Sequence, residues 1–322
     1  MSIERVIVSV VNEPSAPRPL LRLVRWLALA AISGVLAMLV VGVAAFAYFS
    51  RDLPDFSSPA QYRPNLVTRV LSTDDRLIGE FGLERRRVVA YDQIPKRLVQ
   101  AFIASEDGGF FEHDGIDYIG MISAVLGKLR GGKLRGASTI TQQLAKSLLI
   151  NAQGYDKATE RSVKRKVGEA ILARRLEERL TKEEILYIYL NQVFLGHGAY
   201  GVQSAAENYF RKSVSELNLG EMSLIAGLPQ APSRYSPFVN PKVARKRQEY
   251  VLGRMLTEGF IGKSEHDEAL RLQVEETVHP RDDRFRDTAP YFTEHVRRYL
   301  YDTYGEKTLY EQGLTVETTL DL

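Results

Sequence analysis

The 322-residue sequence contains no cysteine. Disulfides, thiolate metal sites and a cysteine nucleophile are therefore excluded. The compartment is not fixed by this, because a protein outside the cytoplasm can simply lack disulfides. Charge of one sign is also scarce. The formal net charge is only +3, which does not point to nucleic acid as a partner, since that needs a strongly basic face. The five histidines (His113, His197, His266, His279 and His295) include no H-E-x-x-H spacing, so no zinc site is expected. S-x-x-K occurs nowhere, so the machinery of serine acyl transfer is missing from this sequence. There is no internal repeat and no low-complexity tract. What remains, 44% hydrophobic and 26% charged, reads as largely globular, with room for one sizeable domain and accessory segments.

The strongest single feature is the uncharged run from Trp26 to Phe49. A membrane-spanning helix needs roughly 20 apolar residues, whereas the apolar core of a signal peptide has about 7 to 15. The run is read as a retained anchor, although Ala45-Phe46-Ala47 resembles a cleavage site. Arg18, Arg22 and Arg25 crowd its N-terminal flank, while Arg51 on the other side is followed by Asp52. That asymmetry predicts the N-terminus in the cytoplasm and everything after Phe49 outside it. The expected organisation is a tail over 1–25, a transmembrane helix over 26–49, and a linker with a short β region over 50–92. A helical domain over 93–260 and a second linker over 261–322 follow. Within this plan Asp74-Asp75 marks a turn between short strands. Thr181-Lys182-Glu183-Glu184 is a capping box opening a helix. Asn240-Pro241 opens another helix, and Gly259 closes it. A helix is expected near Tyr291–Tyr301, and LTVETTL near the end alternates like a strand.

Three clusters carry chemistry. The first, Glu106-Asp107-Gly108-Gly109-Phe110-Phe111-Glu112-His113, sets acids and a histidine beside aromatic rings. A carboxylate held against apolar rings has a raised pKa and suits proton transfer; the plainer reading is an acidic turn capping a helix. The second, Gly131-Gly132-Lys133-Leu134-Arg135-Gly136-Ala137-Ser138-Thr139-Ile140-Thr141-Gln142-Gln143-Leu144-Ala145-Lys146, is a glycine-rich loop entering a helix. Free N–H groups at such a start can hold an anion, and Lys146 shares a face with Gln142 and Gln143. The plainer reading is a loop with a Ser138 cap. In the third, Arg161, Arg165 and Glu169 fall at i, i+4 and i+8 with Lys164 and Lys166 between them. That arrangement suits a pyrophosphate leaving group, or else is a solvated, salt-bridged helix face.

EDxxFxxH, GASTITQQLAK, RKVGE, KEEILYIYLN and RKRQEYVL, in this order from about Gln93 to Leu256, resemble the five motifs of the peptidoglycan glycosyltransferase domain of class A penicillin-binding proteins. Ala137 stands where that family usually has glycine, and the run Arg245-Lys246-Arg247 leaves the register of the fifth motif open. The resemblance implies a mostly α, lysozyme-like fold with minor β elements. It implies polymerisation of lipid II into β-1,4-linked glycan strands, with inversion at C1 and release of polyprenyl pyrophosphate. Glu106 would be the general base and Glu169 would orient the leaving group. Gln143, Lys146, Arg161 and Lys166, with Ser138 and Thr139, would bind substrate. A divalent cation, magnesium or manganese, is the expected companion of the pyrophosphate; no organic cofactor and no protein-borne metal site are implied. The implied partners are lipid II, the growing glycan strand, the bacterial inner membrane and other cell-wall synthesis proteins. GLTVETTLDL resembles the start of the linker into the family's transpeptidase domain, so the sequence reads as the glycosyltransferase portion of a longer protein or a truncated relative.

Apolar Tyr118–Leu126, followed by Lys128, Arg130, Lys133 and Arg135, fits a segment dipping into the outer leaflet; the alternative is an ordinary core helix. Gly196-His197-Gly198-Ala199-Tyr200-Gly201 matches G-x-G-x-x-G, but it follows a capped helix and not a strand, so no dinucleotide site is expected. The nearest rival function is a lysozyme-like lytic enzyme that cleaves glycan. Such an enzyme would have little use for cations around Glu169. A membrane scaffold would not need the five motifs in order. A nucleotide-sugar transferase would want an Asp-x-Asp pair, which is missing.

Overall fold

The computed structural model describes residues 19–51, 53–56, 58–82, 84–129, 138–153 and 163–322. The chain divides into two compact units, Met1–Asp52 and Leu53–Leu322. In the first, helix α1 (Pro19–Ser50) is apolar on every side, with Trp26, Leu36, Val41 and Phe46 all exposed. Its stretch Arg22–Ser50 is long and apolar enough to cross a membrane.

The second unit opens with strands β1 (Thr68–Leu71), β2 (Leu77–Phe81) and β3 (Arg85–Arg86). β1 and β2 are antiparallel, and the turn between them holds Asp75 at φ 60°, as the Asp-Asp pair predicted. Helices α2 (Lys96–Glu106), α3 (Tyr118–Leu129), α4 (Ile140–Gln153), α5 (Val163–Arg179) and α6 (Lys182–Gln192) follow. The short strand β4 (Ala199–Tyr200) pairs with β3. Helices α7 (Val202–Phe210), α8 (Leu219–Gly227) and α9 (Pro241–Thr257) complete the helical body. Beyond it lie α10 (Lys263–Arg271), α11 (Val274–Thr277), α12 (Phe285–Thr288), α13 (Pro290–Tyr304) and α14 (Glu306–Glu311). Strand β5 (Thr315–Glu317) runs parallel to β1, with Val316 opposite Val70.

The core explains the helices better than their propensities do. α2 presents Leu98, Ala101 and Phe102, all fully buried, to α8 and α9. Burying a side chain such as Leu98 or Phe102 contributes about 1.5–3 kcal/mol. α4 offers Ile140, Leu144 and Ala145 to α5 and α6, again at the i, i+4, i+5 spacing of one helix face. α6 begins as its sequence predicts. Thr181 accepts from the Glu184 N–H, and the Glu184 side chain accepts from the Thr181 N–H. The glycines after α6 bend the chain instead of cradling phosphates: Gly201 has φ 79°, and a Cβ there would lie 2.7 Å from the Asn191 carbonyl oxygen. Buried Asn191 in turn ties α6 to the segment before α2, accepting from the Val89 N–H and donating to the Val89 carbonyl.

Candidate active site

Glu106 is the last residue of α2, whose apolar face packs on α8 and α9. Its side chain is 8% exposed. Gln143 Nε2 of α4 donates to one carboxylate oxygen at 2.9 Å, and Arg247 Nη2 of α9 donates to the other at 3.0 Å. Burial raises the Glu106 pKa, and the hydrogen bond from Gln143 and the Arg247 charge oppose that rise without cancelling it. Gln143 is itself fixed from behind, because the Tyr189 hydroxyl of α6 donates to its side-chain carbonyl at 3.1 Å. Burial, with the Glu106 and Asp107 charges added, holds the Tyr189 hydroxyl well above its usual range, so it remains a proton donor. Of the two rings in this motif, Phe110 is fully buried and Phe111 is 63% exposed.

Asp107, in the same acidic turn, ties together segments distant in the chain. Its carboxylate accepts from His113 Nε2 at 2.9 Å and from the Ile140 N–H at 2.9 Å, so it satisfies an otherwise orphaned donor at the start of α4. His113 is pulled two ways. Burial is the largest influence and lowers its pKa, but the hydrogen bond and charge of Asp107 outweigh it and leave a net rise. The local cap of α4 is Thr139. Its hydroxyl accepts from the Gln142 N–H at 3.1 Å and donates to the Gly115 carbonyl at 2.6 Å. Thr139, read as a substrate ligand, is 2% exposed with its hydroxyl committed to the loop–helix junction. Ser138, read as the alternative cap, instead accepts a hydrogen bond from Lys166 Nζ at 3.1 Å.

That contact leads to the second acid. Glu169 of α5 is buried, one carboxylate oxygen paired with Arg165 and the other accepting from Lys166 Nζ at 3.1 Å. The i+3 and i+4 spacing read from the sequence therefore does place both cations on Glu169. Lys146, one turn beyond Gln143, is exposed. Arg161 lies outside the described residues. The first turns of α4 thus join the two acids. Asp107 and Thr139 fix its start, Ser138 there accepts from Lys166, which also donates to Glu169, and about one turn further on Gln143 meets Glu106.

Among the described residues no group of three or more His, Asp or Glu side chains could hold a metal ion. Both oxygens of Glu106 and of Glu169 already carry hydrogen bonds or ion pairs, and Asp107 is taken by His113 and the α4 backbone.

Two site residues escaped the sequence reading. Arg247 sits in the fifth motif, whose register the Arg245-Lys246-Arg247 run left open. The structure resolves it: Arg245 bonds the Leu272 carbonyl and pairs with Glu249, and Arg247 alone reaches Glu106. Tyr189 sits within KEEILYIYLN with nothing to set it apart from Tyr187. At the start of α3, Tyr118, Ile119, Met121 and Ile122 are exposed, Ile119 at 80%. That is the opposite of a core helix. The cations Arg130, Lys133 and Arg135 lie outside the described residues.

Comparison with known proteins adds sequence relatives to this geometry. The transglycosylase family profile matches residues 74–256. Penicillin-binding protein 1A of Neisseria flavescens is 43% identical over 291 residues, covering 89% of this chain and 35% of the relative. Penicillin-binding protein 1A of Escherichia coli (strain K12) is 41% identical over 276 residues, covering 85% and 31%. The crystal structure of penicillin-binding protein 1A from Haemophilus influenzae matches 79% of this chain and 27% of its own, with 30% identity and a TM-score of 0.46. The chain spans about a third of the length of the curated relatives it matches.

Proposed function

The chain belongs to the transglycosylase family, and from that membership and the site around Glu106 we propose that it polymerises lipid II into β-1,4-linked peptidoglycan strands. The observation that carries the reading is the pairing of two buried acids across the first turns of α4. One is held by an amide and a single guanidinium, the other sits among cations.

In the proposed reaction Glu106 removes the proton from the acceptor's sugar 4-hydroxyl as that oxygen attacks C1 of the donor. The bond from C1 to the phosphate oxygen breaks, and its electron pair leaves with the polyprenyl pyrophosphate. One displacement inverts C1 and gives the β link, with no covalent glycosyl-enzyme. A carboxylate whose pKa is lifted toward neutrality is a stronger base than an exposed one, provided it stays ionised. Charge building on the leaving group is met by Lys166 and Lys146, with Arg161 as a further proposed ligand and Ser138 at the same end. Thr139 positions these groups by capping α4. Glu169 holds Arg165 and Lys166 in place instead of touching the reacting atoms. A divalent cation at the pyrophosphate would be held by phosphate oxygens and water, adding to the neutralisation the lysines supply.

A lipid-linked substrate places the site at a membrane surface. α1 supplies a single anchor, proposed to lie in the bacterial inner membrane with the N-terminus cytoplasmic and the helical domain outside. The exposed start of α3 is proposed to enter the outer leaflet. A lytic enzyme is disfavoured, since its leaving group is a sugar hydroxyl that would gain little from the cations about Glu169. The test is to incubate the purified protein with lipid II and, separately, with preformed glycan. Polymer from the first and no cleavage of the second is expected. Cleavage of glycan without polymer would overturn the reading.

A further inference from the structure

Three consecutive cations open α9, and only one faces the acid at the end of α2. Arg247 is fixed on several sides. Its Nε donates to the Gly227 carbonyl at 3.0 Å, at the end of α8. Its guanidinium lies 4.7 Å from the Tyr250 ring centre and 5.4 Å from that of Tyr235. Its Nη2 holds one oxygen of Glu106, and the side chain is only 10% exposed. A guanidinium anchored by a carbonyl and flanked by two rings is pre-organised, and little freedom is lost in keeping its fork on a carboxylate.

The opposite oxygen of Glu106 is held by Gln143, whose amide is itself pinned by Tyr189. Each oxygen therefore receives one hydrogen bond from a donor that cannot wander. A carboxylate offers about four lone-pair positions, so positions remain free for an incoming hydroxyl. A buried carboxyl without a cation tends to take up a proton and become neutral. In that form it has no capacity to accept one from a substrate.

We propose that Arg247 is the positioning residue of the base: it keeps Glu106 ionised in its buried site and orients its free lone pairs toward the acceptor. The inference rests on the reading of Glu106 as general base and goes beyond it by naming what makes that base usable. It also divides the cations of the site into two classes. Lys146 and Lys166 serve the leaving group, and Arg247 serves the base.

The charged and titratable groups facing Glu106 fix the sign of the effect. Arg247 from α9 favours the ionised form, as does the neutral donor Gln143 from α4. Asp107, which is paired with His113, opposes it, and Tyr189 from α6 stays protonated and uncharged. Removing Arg247 deletes the sole cation in this set. The pKa of Glu106 must then rise further, and the acid limb of the rate profile must move to higher pH. An opposite charge this close is typically worth about 1–3 pH units.

The experiment is the pH dependence of lipid II polymerisation by the purified full chain, for wild type, Arg247→Gln and Arg247→Lys, with thermal unfolding as a check on folding. Arg247→Gln is expected to move the acid limb up by about one unit or more, losing most activity at neutral pH and regaining part of it at alkaline pH. Arg247→Lys, which keeps the charge but not the fork, is expected to fall between the two. A uniform loss at every pH with the limb unmoved would show a merely structural role and overturn the proposal. Should Arg247→Gln not fold, Arg247→Met, which also removes the charge, decides in its place, and an unmoved limb there overturns it equally. Failure of the underlying reading shows separately, as polymerisation by Glu106→Gln.

Discussion

At the scale of single residues, the proposed leaving-group role rests first on Lys146. It is exposed on α4, one turn from the amide that holds the base. Lys166 differs, since its ammonium is shared between Ser138 and Glu169. A cation engaged by a buried acid contributes less field to an incoming phosphate than one facing solvent alone. Lys146→Ala should therefore lower polymerisation strongly, by about 10²-fold or more, the usual loss when one charge-stabilising group is removed. Lys146→Arg should recover only part, because a compact ammonium and a planar fork present charge differently. Initial rates on lipid II measure both, and near-normal polymerisation by Lys146→Ala would remove this residue from the site. The same scale shows what the sequence made legible. Glu169 and Arg165 could be read together because i+4 spacing is a local property, whereas Glu106 was read from its motif. Arg247 could not be separated from Arg245 and Lys246, since consecutive helix positions point about 100° apart and only the packing of α9 on α2 and α8 decides between them. Tyr189 carries no local signal at all, its role existing only through Gln143.

At the scale of elements, the ends of helices were the most legible features where the cap is local. The box at Thr181 and the closing glycine at 259, with φ 70°, lie where the sequence placed them. So does the start of α9 at Pro241, although the Asn240 side chain makes no cap there and donates instead to the Arg234 carbonyl. The start of α4 was misread because part of its cap comes from Asp107, far back in the chain, and no spacing rule reaches that distance. The apolar run of α1 was legible, as an uncharged run of spanning length needs no tertiary context, although the helix begins at Pro19, within the stretch read as a tail. The arginines before it set its proposed direction. A reporter fused after Leu322 is therefore expected to be active outside the cytoplasm. Activity of that fusion inside would contradict the proposed orientation.

For the whole molecule, one arrangement repeats: distant segments are brought together to hold short ones in place. The β1–β2 hairpin is completed by β5 from the far end of the sequence, with Thr68 Oγ1 donating to the Leu309 carbonyl. The surroundings of Glu106 are likewise assembled from α2, α4, α6 and α9 around a single carboxylate. Everything in the account converges on that carboxylate, so its replacement is the most direct test. General-base help is worth about 10² to 10⁴ in rate, and Glu106→Gln keeps size and hydrogen bonding while losing the capacity to take a proton. The measurement is lipid II polymerisation by Glu106→Gln beside Asp107→Asn, with thermal unfolding and donor binding determined for each. The account predicts a folded Glu106→Gln protein that binds donor and makes almost no polymer, and an Asp107→Asn protein less impaired in rate. Substantial polymer from Glu106→Gln would contradict the account.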